Sequence, residues 1–254
     1  MKVLITGTKS GLGKYLSEAI GNTFQYNRDT SNADFEEYKA LGVDVIIHCA
    51  FNSSKQINSD NLNSYIEDNI FLTKKILKIP HKKFIFISTV DVYPKDGKLH
   101  SEKEVIDIDS IKGIYGITKL ISESLVETKS LNHLILRCST LLGKYSRKNS
   151  LIKILKDDKP TLTLSKKSVF NYILYSNILD FIKLARKEDL QGIYNIASSK
   201  NIILSEIAKL FKKKVNFGNY IYDVGNIDNK KISSILSAFK KNSKKMLDEF
   251  IQQN

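Results

Sequence analysis

Tyr115 and Lys119 stand four residues apart in the stretch "YGITK". On a helix, that spacing puts a phenol and an ammonium on one face, one turn apart. A neighbouring ammonium favours the phenolate and draws the phenol's pKa down from about 10. A phenol tuned in this way gives a proton to a carbonyl oxygen or takes one from an alcohol. Upstream, "FIFISTVDVY" reads as an apolar strand that ends in two hydroxyls, Ser88 and Thr89. A hydroxyl at that strand end would hydrogen-bond the same substrate oxygen. Near the start of the chain, "KVLITGTKSGLGKYLSEAI" runs from an apolar strand through Gly7, Gly11 and Gly13 into a helical pattern. Glycines there permit positive φ and close backbone approach, and the helix N-terminus that follows offers N–H groups to a phosphate. Taken singly, the YxxxK pair also reads as an exposed helix pair, and the glycines as a tight turn.

Groups so far apart in sequence need a scaffold that gathers them. Residues 2–6, 43–49, 84–88 and 134–138 read as strands, with a shorter one at 23–26. Residues 11–20, 62–77 and 111–128 carry helical patterns. Strands alternating with helices predict βαβ units and a parallel sheet, whose ligands bind beyond the C-terminal strand ends. After Gly143 the rhythm loosens, with helices at 150–157, 178–185 and 204–213, strands at 161–164 and 193–196, and a mostly helical end. The expected architecture is α/β: a Rossmann-type doubly wound parallel sheet over residues 1–143 with the catalytic residues. A smaller C-terminal α+β substrate lobe over residues 144–254, partly interwoven with the sheet domain, completes it.

Composition narrows the function classes. The 254 residues are 42% apolar with three prolines, an ordinary globular balance. Lys and Arg total 40 against 27 Asp and Glu, a net charge of +13. The basic residues are spread along the chain, and the runs at 212–214, 240–241 and 244–245 fall on apparent helices. That dispersion reads as solvated faces rather than a nucleic-acid surface, and it would draw in an anionic small substrate. The longest apolar stretch, residues 43–51, is broken by Asp44 and His48 and is too short to span a membrane. Met1-Lys2 leads directly into a strand, so no leader and a cytoplasmic address are expected. Cys49 and Cys138 lie in apolar runs without zinc or redox spacing, so they read as buried reduced thiols, and no metal is expected.

The spacing Thr6-Gly7-x-x-x-Gly11-x-Gly13, together with Thr89 and the Tyr115–Lys119 pair, resembles the short-chain dehydrogenases/reductases. "VDVIIHCAF", "YIEDNIFLTKKIL", "LRCSTLLG", "GIYNIASSKNIILSEIAKLF" and "DNKKISSIL" resemble, in order, segments of its extended branch, the NAD-dependent epimerase/dehydratase family. The resemblance covers nearly the whole chain. It implies hydride transfer between a nicotinamide and a sugar carbon. Thr89 would position the oxygen, Tyr115 would be the acid or base, and Lys119 would tune Tyr115 and hold the nicotinamide ribose. The cofactor would lie on Gly7, Lys9, Ser10, Gly11, Leu12 and Gly13, on Cys49, Ala50 and Phe51, and beside Asn69 and Ser88. Asp34 and Phe35 resemble the pair flanking the adenine in nucleotide-linked 4-keto-deoxysugar reductases.

The resemblance has departures. The glycine spacing belongs more to the compact branch. Phe170 stands near the place of an Arg that binds the substrate diphosphate, Asn177 replaces an Asp, and Thr140 stands for an Asn. Lys166 or Lys167 would then substitute as the phosphate contact, with Asp91 and Thr140 as further substrate residues. No acidic residue ends the second strand. Arg28 stands there and would fork onto a ribose 2′-phosphate with help from Lys9, which favours NADP(H) over NAD(H). The other reading leaves Arg28 in solvent and gives the ribose of NAD to Asp29. The expected activity is reduction of a 4-keto-deoxysugar nucleotide. The alternatives are a nucleotide-sugar 4-epimerase with tightly bound NAD and, further off, a non-catalytic nucleotide-sensing or nucleic-acid-binding protein. The family also implies a homodimer paired through the helices at 62–77 and 111–128.

Overall fold

Val3, Leu4 and Ile5 are all buried, as a strand covered on both faces requires. The computed structural model describes residues 1–54, 57–146 and 148–253. Its first half runs β1 (Val3–Thr6), α1 (Gly11–Ile20), β2 (Phe24–Tyr26), α2 (Asn32–Leu41), β3 (Val43–His48), α3 (Ser59–Ile66), α4 (Leu72–Ile76), β4 (His81–Thr89), β5 (Leu99–His100) and α5 (Ile114–Lys129). The second half begins with β6 (His133–Cys138), β7 (Thr140–Leu142), α6 (Ser150–Lys156), β8 (Val169–Phe170), β9 (Tyr172–Leu174), α7 (Tyr175–Lys187) and β10 (Gly192–Ile196). It ends with β11 (Ile202–Ile203), α8 (Leu204–Leu210), β12 (Asn226–Ile227), α9 (Lys230–Ile235) and α10 (Ser243–Gln252).

Six strands form one parallel sheet in the order β10-β6-β4-β3-β1-β2. Alternation along each strand splits the core in two. Ile5, Ile47, Ile85 and Leu136 pack with Leu16, Ile178 and Ile182 of α1 and α7. Leu4, Ile46, Phe84, Phe86 and Ile135 pack on the other face with Phe35, Ile76 and Val126 of α2, α4 and α5. The chain leaves β1 for β2 on one side, then crosses to β3 on the other. That reversal opens a crevice at the C-terminal ends of β1 and β3, the place where such sheets take ligands.

Three elements differ from the sequence reading. The stretch between β2 and β3 holds a full helix, α2, that hydrophobic periodicity did not reveal. Only Phe35 of it is buried, and its start is fixed by a capping box. Asp34 N donates to Ser31 Oγ at 3.0 Å and Ser31 N donates to Asp34 Oδ2 at 3.1 Å. The helix expected over 62–77 carries a π turn at Glu67–Phe71 between α3 and α4. The wide turn shifts the helical phase by one residue and turns Asn69 inward, where it is fully buried. The strand expected at 161–164 is reduced to isolated bridges at Thr161 and Leu164. The strand foreseen at 193–196 is β10, and it completes the central sheet beside β6.

Candidate active site

The turn after β1 is built for close approach. Gly7 has φ +70°, and a Cβ on it would lie 2.9 Å from the Ala50 backbone. A Cβ on Gly13 would lie 2.4 Å from the Gly7 carbonyl oxygen, so α1 presses directly on the turn. Ser10 gives α1 no side-chain cap, and its first turn faces the crevice.

A hydrogen-bond chain, absent from the sequence reading, ties this turn to β3 and the helix beyond. Thr6 Oγ1 accepts from the N–H groups of Cys49 at 3.0 Å and Ala50 at 2.9 Å. Its own proton is therefore left for His48 Nδ1, at 2.7 Å. His48 Nε2 then carries the ring proton and donates to Thr73 Oγ1 at 3.0 Å, which donates to the Asn69 carbonyl at 2.7 Å. Burial, aided by the Lys119 charge, pushes His48 down to about 3, so it stays neutral and structural. Asn69 clamps the next turn from both sides: Asn52 N donates to its Oδ1 at 2.6 Å, and its Nδ2 donates to the Asn52 carbonyl at 3.0 Å.

The resulting cleft has a volume of about 1460 Å³ and runs from the end of β2 across to β6. Of the predicted cofactor residues, Gly7, Lys9, Ser10, Gly11, Leu12 and Gly13 line it at one side, and Arg28 and Phe35 at its far end. Cys49, Ala50, Phe51 and Ser88 line its middle, and Thr89, Tyr115 and Lys119 meet at the other end. Asp34 lies off the cleft because its carboxylate caps α2. Asn69 stands behind the wall as a clamp. Asp91 lies just beyond the catalytic end of the cleft, with its N–H on Thr89 Oγ1, while Thr140 and Lys166 are off the cleft. Thr140 pairs with Tyr172 in the β7–β9 ladder, and Lys166 is exposed on a distant turn.

The cations at the far end divide into two sets. Lys9 is paired with Asp29 at 2.7 Å, and Arg28, 79% exposed, is paired with Asp68 at 2.5 Å. Asp68 also accepts from Asn52 Nδ2 at 2.8 Å. Lys74, Lys75 and Lys78 line the same end, and none has a carboxylate partner among the described residues. Lys75 Nζ stands 4.5 Å from the Phe35 ring centroid and 5.6 Å from that of Tyr26. Asp68, Lys74 and Lys75 sit on helix faces whose direction depends on the π turn, and Lys78 on the turn that follows α4, which is why sequence reasoning passed over them.

At the catalytic end, Thr89 closes β4 and accepts from Asp91 N at 3.2 Å. Its side chain lies beside the Tyr115 phenol and favours the ionised form, but burial outweighs it, and Tyr115 is held well above the ordinary phenol range. Lys119 does not lower it in this arrangement. The Lys119 ammonium donates to the Ile87 carbonyl at 2.5 Å and lies 3.7 Å from the Phe51 ring centroid. The same Phe51 ring meets Tyr115 edge-on at 5.6 Å. Burial pulls Lys119 itself down to about 7. Cys138 and Cys49 line the cleft nearby, both thiols raised by burial, Cys49 to about 12. Ser139, also on the cleft wall, has a buried Oγ with no hydrogen-bond partner among the described residues. A buried hydroxyl of that kind calls for a polar ligand atom.

Beneath the site lies a buried ion pair. Arg137 of β6 forks onto Glu123 of α5, with Nη2 at 2.7 Å and Nε at 3.1 Å from Oε2. Ser88 Oγ donates to the same carboxylate, and Arg137 Nη1 donates to Tyr93 Oη at 2.9 Å. Glu123 follows Lys119 by four residues and Tyr115 by eight, so one helix face carries all three. Among the described residues, no group of His, Cys, Asp or Glu is placed to hold a metal ion, and no helix is long and apolar enough to cross a membrane.

The glycine cradle, the buried unpaired hydroxyl of Ser139 and the length of the cleft fit a dinucleotide. Residues 3–197 match the profile of the NAD dependent epimerase/dehydratase family. No curated protein matches the chain significantly. Among solved structures, the chain is similar to a dTDP-4-dehydrorhamnose reductase from Bacillus anthracis str. Ames in complex with NADP. That likeness has 18% identity and a TM-score of 0.82 and covers 100% of this chain and 99% of the other. A dTDP-4-dehydrorhamnose reductase from Clostridium acetobutylicum ATCC 824 is similar at 16% identity and TM-score 0.79, over 99% of each chain. A UDP-glucuronic acid 4-epimerase from Bacillus cereus, in complex with UDP-glucuronic acid and NAD, is similar at 20% identity and TM-score 0.78, over 100% of each chain. At such identities the likeness establishes the fold.

Proposed function

Because this chain belongs to the NAD dependent epimerase/dehydratase family, we propose that it reduces the keto group of a nucleotide-activated 4-keto-deoxysugar with NADP(H). The observation that carries this reading is the meeting of Thr89, Tyr115 and Lys119 at one end of a cleft whose other end is the glycine turn. A bound nicotinamide would supply the hydride. The residues that would hold the dinucleotide are Gly7, Gly11 and Gly13 at its diphosphate, Phe35 and Lys75 at its adenosine half, and Ser139 at its nicotinamide half.

The chain's own chemistry suits reduction. Tyr115 remains protonated through neutral pH because it is buried, so it enters the reaction as an acid. The Thr89 hydroxyl is oriented from behind by the Asp91 N–H and holds the substrate oxygen beside the phenol. Proton transfer from Tyr115 to that oxygen leaves a phenolate, which the neighbouring Thr89 side chain favours. The lysines without carboxylate partners at the far end supply positive charge for a ribose 2′-phosphate, which supports NADP(H).

One feature favours the second reading, a 4-epimerase that retains NAD. The Asp68 carboxylate lies beside Arg28, and a carboxylate at that end would bond a ribose 2′-hydroxyl. The test is to incubate the purified protein with NADPH and a panel of 4-keto-6-deoxyhexose nucleotides. Stoichiometric loss of NADPH absorbance with a reduced sugar product is expected. Interconversion of UDP-hexoses at C4, with no net consumption of cofactor, would overturn the reductase reading in favour of the epimerase.

A further inference from the structure

Beyond the catalytic end of the cleft, the C-terminal part of the chain brings a second phenol to the site. Tyr222 Oη donates to Asp91 Oδ1 at 3.2 Å, across 131 residues of sequence. The segment that carries it is stitched in place: Tyr222 N donates to Ser168 Oγ at 3.1 Å, and Val169 N donates to the Tyr222 carbonyl at 2.8 Å. Its ring packs on Phe170 at 5.0 Å. Asp91 is just as firmly set against the catalytic groups. Its N–H bonds Thr89 Oγ1, and its carbonyl fills the notch at Gly116, where a Cβ would lie 2.3 Å away. Gly116 directly follows Tyr115.

The carboxylate of Asp91 is used on one side only. Lys95 Nζ lies 3.3 Å from the same Oδ1 that accepts from Tyr222, and Lys95 is anchored by donating to the Val224 carbonyl at 3.0 Å. Oδ2 receives no hydrogen bond from any described residue, and the side chain is 26% exposed. The phenol of Tyr222 spends its proton on Asp91, so its oxygen is left as an acceptor. Two acceptors, Asp91 Oδ2 and Tyr222 Oη, thus stand together next to the group that protonates the substrate. The nearness is felt electrostatically: after burial, the Asp91 charge is the largest influence raising Tyr115.

We propose that Asp91 and Tyr222 form a subsite that reads a hydroxyl on the sugar carbon adjacent to the reacting one. A pair of acceptors demands a donor from the ligand. Lys95 already balances the Asp91 charge, so the donor is a neutral hydroxyl rather than an ammonium. This inference rests on the sugar-nucleotide reading, and it makes the substrate a keto sugar that keeps a hydroxyl next to its keto group.

The test measures binding, not only turnover. UDP-glucose, UDP-3-deoxyglucose and their thymidine counterparts are titrated by calorimetry into the full-length wild type, Asp91→Asn and Tyr222→Phe. The wild type binds the hydroxylated sugar roughly ten- to a hundredfold more tightly than its deoxy analogue, the range for a hydrogen bond to a charged group. Asp91→Asn and Tyr222→Phe narrow that ratio toward one, while NADPH affinity stays at the wild-type value, which shows that the folded cofactor site is intact. An unchanged ratio in both variants overturns the subsite. A ratio that narrows in the variants, when the wild type transfers no hydride to any keto sugar, upholds the subsite and removes the reductase reading. Tighter binding of a 3-amino-3-deoxy analogue than of the hydroxylated sugar overturns the assignment of a neutral hydroxyl. A wild type that binds none of these sugars overturns both.

Discussion

Replacing Lys75 with alanine is expected to weaken NADPH binding and leave NADH binding nearly unchanged. Lys75 lines the far end of the cleft, with its ammonium over the Phe35 and Tyr26 rings and no carboxylate partner among the described residues. Two unit charges about 4 Å apart interact by ~1 kcal/mol in water and ~4 kcal/mol at an effective dielectric near 20. Lys75 is half-buried, so screening places its contribution near the lower end, about 1–2 kcal/mol, or roughly five- to thirtyfold in Kd. Arg28→Ala removes a charge that Asp68 already neutralises and that is largely solvated, so the expected loss is smaller, about two- to fivefold. Asp68→Asn acts the other way, freeing Arg28 and strengthening NADPH relative to NADH. The protein has no tryptophan, so the reduced nicotinamide's own fluorescence reports binding in a direct titration. The reasoning fails if Lys75→Ala weakens both cofactors equally, or if Arg28→Ala alone abolishes the preference.

Other expectations follow from the same geometry. Tyr115→Phe is expected to lower turnover by roughly a hundred- to ten-thousandfold with little change in NADPH affinity, since only the proton donor is lost; steady-state rates beside binding titrations check this. Lys119 is held down to about 7 in the fold against 10.5 for the free side chain, so between those values the unfolded chain binds more protons. Stability therefore rises with pH across that window, and Lys119→Met, which removes the buried ammonium, gains more at pH 7 than at pH 10 in thermal melts. Glu123→Leu leaves Arg137 buried and unpaired and is expected to cost about 3–5 kcal/mol. At roughly 2–4 °C per kcal/mol for a chain of this size, that lowers the melting midpoint by at least several degrees. Adding Arg137→Met to that variant should restore most of the loss, and a double variant as unstable as the sum of the singles would show that packing rather than charge sets the cost.

The groups proposed to react were legible in the sequence because their spacing is local. A helix places residues four apart on one face wherever it sits, so Tyr115 and Lys119 declared themselves. A strand-glycine-helix turn at residues 6–13 folds the same way in any parallel sheet. Elements without a strong periodic stripe were missed for the same reason. The α2 helix buries only Phe35 and is specified by its cap, so a search for apolar spacing passes over it, and Asp34 looks like a ligand residue when it is a capping one. The π turn at Glu67–Phe71 breaks the 3.6 period just where Asp68 and the lysines of α4 are aimed, and no regular pattern predicts their direction.

The groups that hold the reacting ones in place could not be read the same way, because each contact joins elements that only the topology brings together. Glu123 shares a face with Tyr115 and Lys119, but its role depends on Arg137, which β6 delivers beside β4. Asp91 was picked out by its place after Thr89, yet its carboxylate is aimed by Lys95 and by Tyr222 from the far end of the chain. Phe51 touches both Lys119 and Tyr115, so the turn after β3, held by Thr6 and Asn69, helps set the electrostatics of a helix some sixty residues later. A family's reaction can therefore be carried by a short set of spacings, while substrate choice is written in pairs such as Asp91 and Tyr222. Two chains that share the first can differ in the second, and so the measurement that separates a reductase from an epimerase on this fold must address the contacts around Tyr115 rather than Tyr115 itself.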